Sequence, residues 1–215
     1  MAIFATKRMR MESTEKKISA VINAGGQGKV YFPADFFDCG TPKAVSKALQ
    51  RLVRKEKLMR LSRGIYCTPC KDSMWGMGPL PASSEAVAEA IADRDGIRLG
   101  PTACEAQNAL GLSEQVVVNP VYSTDGPYRE IYYRDGFRPI IMYHVSPRMF
   151  SYKSKVMMLV NLALEDIGKE NLWQFDMDAL ESLFHRVPYE EIRSDLRKTP
   201  AWIRNIVMGY YGKAS

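Results

Sequence analysis

The chain has 215 residues, is 46% hydrophobic and 25% charged, and carries a formal net charge of +6. Those values are ordinary for a soluble globular protein and allow one large domain or two small ones. No stretch approaches the roughly 18 uncharged apolar residues of a membrane span, and no apolar run follows the charged start, so neither a membrane protein nor a secreted one is expected.

The first dozen residues read as a loose start. Residues 13–23 have Ile18, Val21 and Ile22 spaced for one apolar helical face, and the cluster Gly25, Gly26, Gly28 ends that helix. The cluster lacks the Gly-Lys-Ser/Thr ending and the preceding strand of a phosphate-binding loop. Residues 30–32 suit a short strand, and Pro33 opens a short second helix.

Residues 41–68 hold the strongest pattern. Thr41-Pro42 is a helix start: the hydroxyl can cap free amides, and proline at the first position gives up no usable hydrogen bond. At about 100° per residue, Val45, Leu49, Leu52 and Val53 fall on one side, and Lys43, Lys47, Gln50 and Arg54 on the other. Ser46 and Arg51 flank that polar face. Residues 58–61 and 65–68 then read as two strands about a turn at Ser62, Arg63 and Gly64, with Gly64 supplying the positive φ. Residues 43–63 hold eight basic side chains and one acidic one, Glu56. Residues 1–70 carry a net +9 and residues 71–215 a net −3. The basic character is confined to one end, which points to a polyanion partner for that end. Helix, strand, short helix, long basic helix and basic hairpin is the order of a winged helix-turn-helix.

Residues 69–81 hold Pro69, Gly76, Gly78, Pro79 and Pro81 and read as a linker, with Trp75 packing on one domain. Helices are expected over 83–93 and 101–110. A β region follows at 116–118, 121–124, 130–134 and 140–144, with turn signals at Asp125-Gly126 and Asp135-Gly136. Residues 155–167 are apolar on most sides and predict a buried central helix ending at Gly168. Asp176 is expected to cap a helix, residues 189–197 and 200–210 to form two more, and Thr199-Pro200 to repeat the start seen at Thr41-Pro42.

No catalytic constellation is evident, and the chain is not expected to be an enzyme. Cys67-Thr68-Pro69-Cys70 has the spacing of a metal or redox pair, but no histidine lies near and Cys39 and Cys104 have no close partner. The four cysteines therefore predict reduced thiols and a cytoplasmic protein. His144 and His185 are isolated. Asp125 can face a ligand or simply close a β-turn, and Asp176 and Asp178 can be metal carboxylates or dipole partners at a helix start. No metal and no cofactor are expected.

The stretch PADFFDCGTPKAVSKALQRLVRKEKLMRLSRGIYCTP resembles the winged-helix domain of the AbiEi-type antitoxins of type IV toxin–antitoxin systems. RLGPTACEAQNALGLSEQVVVNPVYSTDGPYREI resembles the opening of that family's C-terminal domain, and TPAWIRNIV its ending, so the likeness covers about residues 13–211. It implies a bacterial autorepressor that binds inverted repeats of double-stranded promoter DNA, as a monomer or as a dimer pairing on the site. Its C-terminal domain would be an antitoxin against a nucleotidyltransferase-like toxin. By the match to the recognition helix, Lys43, Ser46, Lys47, Gln50, Arg51 and Arg54 carry over as DNA contacts, with Thr41 at the helix start. By the match to the wing, Arg60, Ser62 and Arg63 join them. Lys47, Gln50 and Arg51 include the expected base-reading positions.

The expected fold class is α+β: a winged helix-turn-helix over residues 1–70, a linker over 71–81, and a separate mixed α/β domain over 82–215. Two alternatives stand beside the repressor–antitoxin reading. One is a ligand-responsive transcription factor, marked by an apolar pocket in the C-terminal part. The other is a nucleic-acid-targeted enzyme with an unrecognised C-terminal catalytic domain.

Overall fold

The computed structural model describes residues 12–70, 78–115, 119–132 and 139–212. The expected strand at 116–118, the Asp135-Gly136 turn, Trp75 and the first part of the linker lie outside them. The architecture is α+β, and the chain divides into two compact units, Met1–Ala90 and Ile91–Ser215. Among the described residues no helix is long and apolar enough to cross a membrane.

The first unit begins with α1, Thr14–Gly25, capped by Ser13, whose Oγ accepts from Lys16 N at 3.3 Å. Strand β1, Val30–Tyr31, leads into the segment Pro33–Cys39. That segment is the expected short helix, of 3-10 type, and within it Phe36 leaves helical geometry with its ring fully in the core. Helix α2 is Pro42–Arg54, followed by β2, Met59–Ser62, and β3, Ile65–Cys67. The three strands form an antiparallel sheet in the order β1-β3-β2. Ile18 and Ile22 of α1 pack with Tyr31, Phe36, Leu58 and the inner face of α2, namely Val45, Ala48, Leu49 and Leu52. Gly40 sits in the turn before α2, where a Cβ would meet Thr14 Oγ1 at 2.5 Å, so only glycine lets the start of α1 come this close.

Helix α3, Ser84–Asp95, contains the division between the units. The second unit has a four-stranded sheet made of β4, Leu99–Gly100, β5, Val121–Thr124, β6, Arg129–Ile131, and β7, Ile140–His144. The order is β4-β5-β7-β6. Strands β5 and β7 are parallel and the other two pairs antiparallel, so Asp125-Gly126 is not a hairpin joining paired neighbours. The Asp125 carboxylate instead accepts from Arg98 N and Arg98 Nε, both at 2.7 Å, and those bonds hold its pKa below the usual value.

Five α-helices, α4 between β4 and β5 and four more after β7, make up the rest of the described unit. Helix α4 is Ala103–Ala109 and opens two residues later than expected, at a Thr102–Glu105 capping box. Helix α5, Lys155–Ile167, buries Met157, Val160, Leu162 and Leu164 at the centre of the core. Helix α6, Gln174–Phe184, starts before the residue expected to cap it. Asp176 is its third residue and its Oδ2 reaches back to Trp173 N at 2.8 Å. Helix α7 is only Tyr189–Ile192, and α8 is Ala201–Gly212. Thr199 does not repeat the Thr41 cap: its hydroxyl donates to Asp195 O at 3.1 Å, which turns it away from the start of α8.

Candidate nucleic-acid interface

Thr41 caps α2 through its side chain, with Oγ1 accepting from Ala44 N at 3.3 Å, and Pro42 takes the first helical position. The cap and the alternation of apolar and charged residues set the rotation of the helix. Burying Val45, Ala48, Leu49 and Leu52 leaves Lys43, Ser46, Lys47, Gln50, Arg51 and Arg54 exposed together on the outer face. The β2–β3 hairpin closes through Arg63 and Gly64, with Ser62 opposite Ile65 and Gly64 at φ +76°. Arg60 and Arg63 are exposed, Ser62 is half-buried, and Arg60 Nε donates to Ser62 O at 3.4 Å. All ten expected contact residues therefore lie in the first unit, seven at the start and outer face of α2 and three on the hairpin.

Lys43, Lys47, Arg51 and Lys55 follow one another at four-residue spacing, which makes each a neighbour of the next on the helix surface. Like charges at that spacing are unfavourable by a few tenths of a kcal/mol per pair. Glu15 of α1 answers only the far end of this ladder. Its Oε1 accepts from Lys55 Nζ and its Oε2 from Arg51 Nε, both at 2.6 Å. The Lys55 bond, and then the Arg51 bond, hold the Glu15 carboxyl below its ordinary pKa. Among the described residues, Lys43, Lys47, Arg54, Lys57 and Arg63 have no carboxylate partner. Arg51 thus differs from the other expected contact residues of α2: like Lys55, it is already committed to α1. The sequence holds no local sign of this pairing, because 36 residues separate the partners.

The first residue of the ladder also stands against the helix dipole. Lys43 stands in the first turn of α2, which contains no acidic residue, where the helix end is itself positive. Glu56, the one carboxylate in the basic stretch, follows the helix with φ +56°, a conformation that costs a residue with a Cβ roughly 1–2 kcal/mol.

The other groups with chemical potential belong to other elements. Cys67 is buried, its Sγ accepts from Ala82 N at 3.5 Å, and burial raises its pKa. Among the described residues no three metal-ligating side chains converge. Asp178 accepts from Gln174 Nε2 at 2.9 Å, and His185 is exposed beside Glu181. The second unit contains a cavity of about 600 Å³, bounded by α4, α5 and the β5–β7 pair, which the sequence did not foreshadow.

The chain matches no curated protein and no solved structure. Residues 17–192 match the model of DUF6088, a family of unknown function, and the chain belongs to that family.

Proposed function

We propose that this chain is a sequence-specific DNA-binding transcriptional autorepressor. In this reading the first unit is a winged helix-turn-helix, with α2 as the recognition helix and the β2–β3 hairpin as the wing, and it binds inverted repeats in its own promoter. The second unit is the antitoxin of a type IV toxin–antitoxin system, and its partner is a nucleotidyltransferase-like toxin. The observation that carries the DNA-binding half is the unanswered end of the cation ladder. An exposed, capped helix that places Lys43 against its own dipole, and Lys43 and Lys47 against each other, spends fold stability on a polyanion partner. The antitoxin half rests on the resemblance of the C-terminal stretches to that family.

Fluorescence anisotropy on the promoter duplex tests the first half. Each phosphate neutralised adds about 0.9 to the log–log salt slope, so about five contacts predict a roughly 500-fold loss of affinity between 50 and 200 mM salt. Binding that is flat across that range contradicts the proposal. Glu56→Gly should act in the opposite sense on two readouts. It relieves the left-handed strain at a net gain of about 0.5 kcal/mol, after the added flexibility of the unfolded chain is subtracted. It also removes the one negative charge from the basic stretch, so promoter affinity should rise a few-fold at low salt. A lowered thermal midpoint together with unchanged affinity would count against both arguments.

A second reading, a ligand-responsive transcription factor, is favoured by one observation, the cavity in the second unit. Titrating candidate ligands into the promoter complex separates it from the first: a ligand-responsive factor changes its DNA affinity, and a plain repressor does not.

A further inference from the structure

The cavity of about 600 Å³ lies wholly within the second unit. Its floor is one face of the sheet. Strand alternation and the register Val121↔Ile141, Ser123↔Tyr143 put Val121, Ser123 and Tyr143 on that face. Met149 and Leu162 give it apolar walls, and Asp166 stands at the end of α5 on its lining.

Its polar groups share one character. Ser123 is only 3% exposed and lines the cavity. A hydroxyl on a cavity wall can accept from, or donate to, a bound group. His144 Nδ1 lies 2.8 Å from Gly126 O. A carbonyl can only accept, so Nδ1 donates to it. Among the described residues no lysine or arginine lines the cavity, whereas two carboxylates do. Arg148 pairs with one of them, Glu165. Among the described residues Asp166 has only a neutral partner, Gln107 Nε2 at 2.8 Å.

The face continues outward as an aromatic rim of the same polarity. The Tyr143 ring lies 5.4 Å from that of Tyr128. Glu130, opposite Ile141 and so on the same face, accepts from the hydroxyls of Tyr128 and Tyr132. Electron-rich ring faces beside carboxylates attract cations.

We infer that this cavity binds a small organic cation: an ammonium group held by Asp166 and the Ser123 hydroxyl, with an apolar body against Leu162, Met149 and the Tyr143 ring. This inference is independent of the DNA-binding proposal and draws on no residue of the first unit.

Calorimetric titration of the full chain tests it with three probes of one shape: phenethylamine, 2-phenylethanol and phenylacetate. The amine should bind saturably and about tenfold more tightly than the alcohol, and the acid should not bind. Asp166→Asn keeps the acceptor for Gln107 but removes the charge, so it should abolish the preference for the amine over the alcohol. Ser123→Ala should weaken the amine several-fold. Thermal melts of both variants should match that of the unaltered chain, which separates lost binding from lost folding. Absence of saturable amine binding overturns the inference. So does acid binding as tight as the amine's, or amine binding that neither variant changes.

Discussion

Replacing Lys43 and Lys47 together by glutamate is expected to lower affinity for the promoter duplex by about 100-fold or more while leaving the fold as stable as before, or more so. The binding loss follows from charge. Each reversal removes an attraction to phosphate and adds a repulsion, and a floor of about 1.4 kcal/mol for each gives two factors of ten. The salt slope should fall by about 1.8 as two counterion-releasing contacts disappear. The stability argument runs the other way. Both side chains are exposed and, among the described residues, neither has an ion-pair partner, so nothing folded is broken. A glutamate at position 43 would face the positive end of α2, a placement favourable by about 0.3–1 kcal/mol. A glutamate at position 47 would stand one turn before Arg51 and convert a repulsive pair into an attractive one. Binding and stability measured on one preparation should therefore move in opposite directions. A variant that still binds within threefold of the original, at a salt where the original binds well, would sink the assignment of α2 as the interface.

The elements most legible in the sequence are those whose ends are set by their own residues. Helix α5 spans the expected Lys155–Ile167 because Ser154 caps it, with Oγ accepting from Met157 N at 3.4 Å, and Gly168 stops it at φ +79°. Helix α2 starts as expected for the same reason, with Thr41 and Pro42 at its head. The hairpin follows from Gly64. What was not legible depends on groups far apart in the chain. Strand β4 has two residues and exists only because Leu99 and Gly100 find Thr124 and Ser123. The parallel pairing of β5 with β7 leaves no local trace, since turn residues between strands suggest hairpins whether or not the strands pair. In the candidate interface, the exposed face of α2 was readable from periodicity, but the commitment of Arg51 and Lys55 to Glu15 was not. The cavity is a property of packing, and its lining comes from five separate stretches of chain.

Asp195→Ala is expected to destabilise the second unit by about 3–4 kcal/mol. Asp195 is fully buried in the turn between α7 and α8. The sequence had suggested helix through this segment; α7 ends at Ile192 instead, and the side chain of Asp195 reaches the start of α5. Its Oδ2 accepts from Lys153 N at 2.8 Å and from Ser154 N at 2.7 Å. These are amides just ahead of a helix, with no intrahelical partner of their own. Lys198 Nζ lies 3.5 Å from Oδ1 on the other side. Alanine leaves both amides without an acceptor, the Ser154 amide in a buried site and the Lys153 amide in a half-buried one, and each stranded buried donor costs roughly 1–3 kcal/mol. The loss also frees the entrance of α5, whose Met157, Val160 and Leu164 sit at the centre of the core. Asp195→Asn is the informative companion. Its carbonyl oxygen can still receive the two amides, but its NH₂ would then face Lys198, so a loss of about half the alanine value is expected. Urea unfolding followed by the fluorescence of Trp173 and Trp202 measures both, and at an m-value of about 2 kcal/mol/M the alanine variant should unfold some 1.5–2 M earlier. Amide exchange adds a local readout: Lys153 and Ser154 should exchange faster in the alanine variant and remain protected in the asparagine one. An alanine variant within about 1 kcal/mol of the original, with both amides still protected, would show that another group receives them and that Asp195 is not what joins the turn to α5.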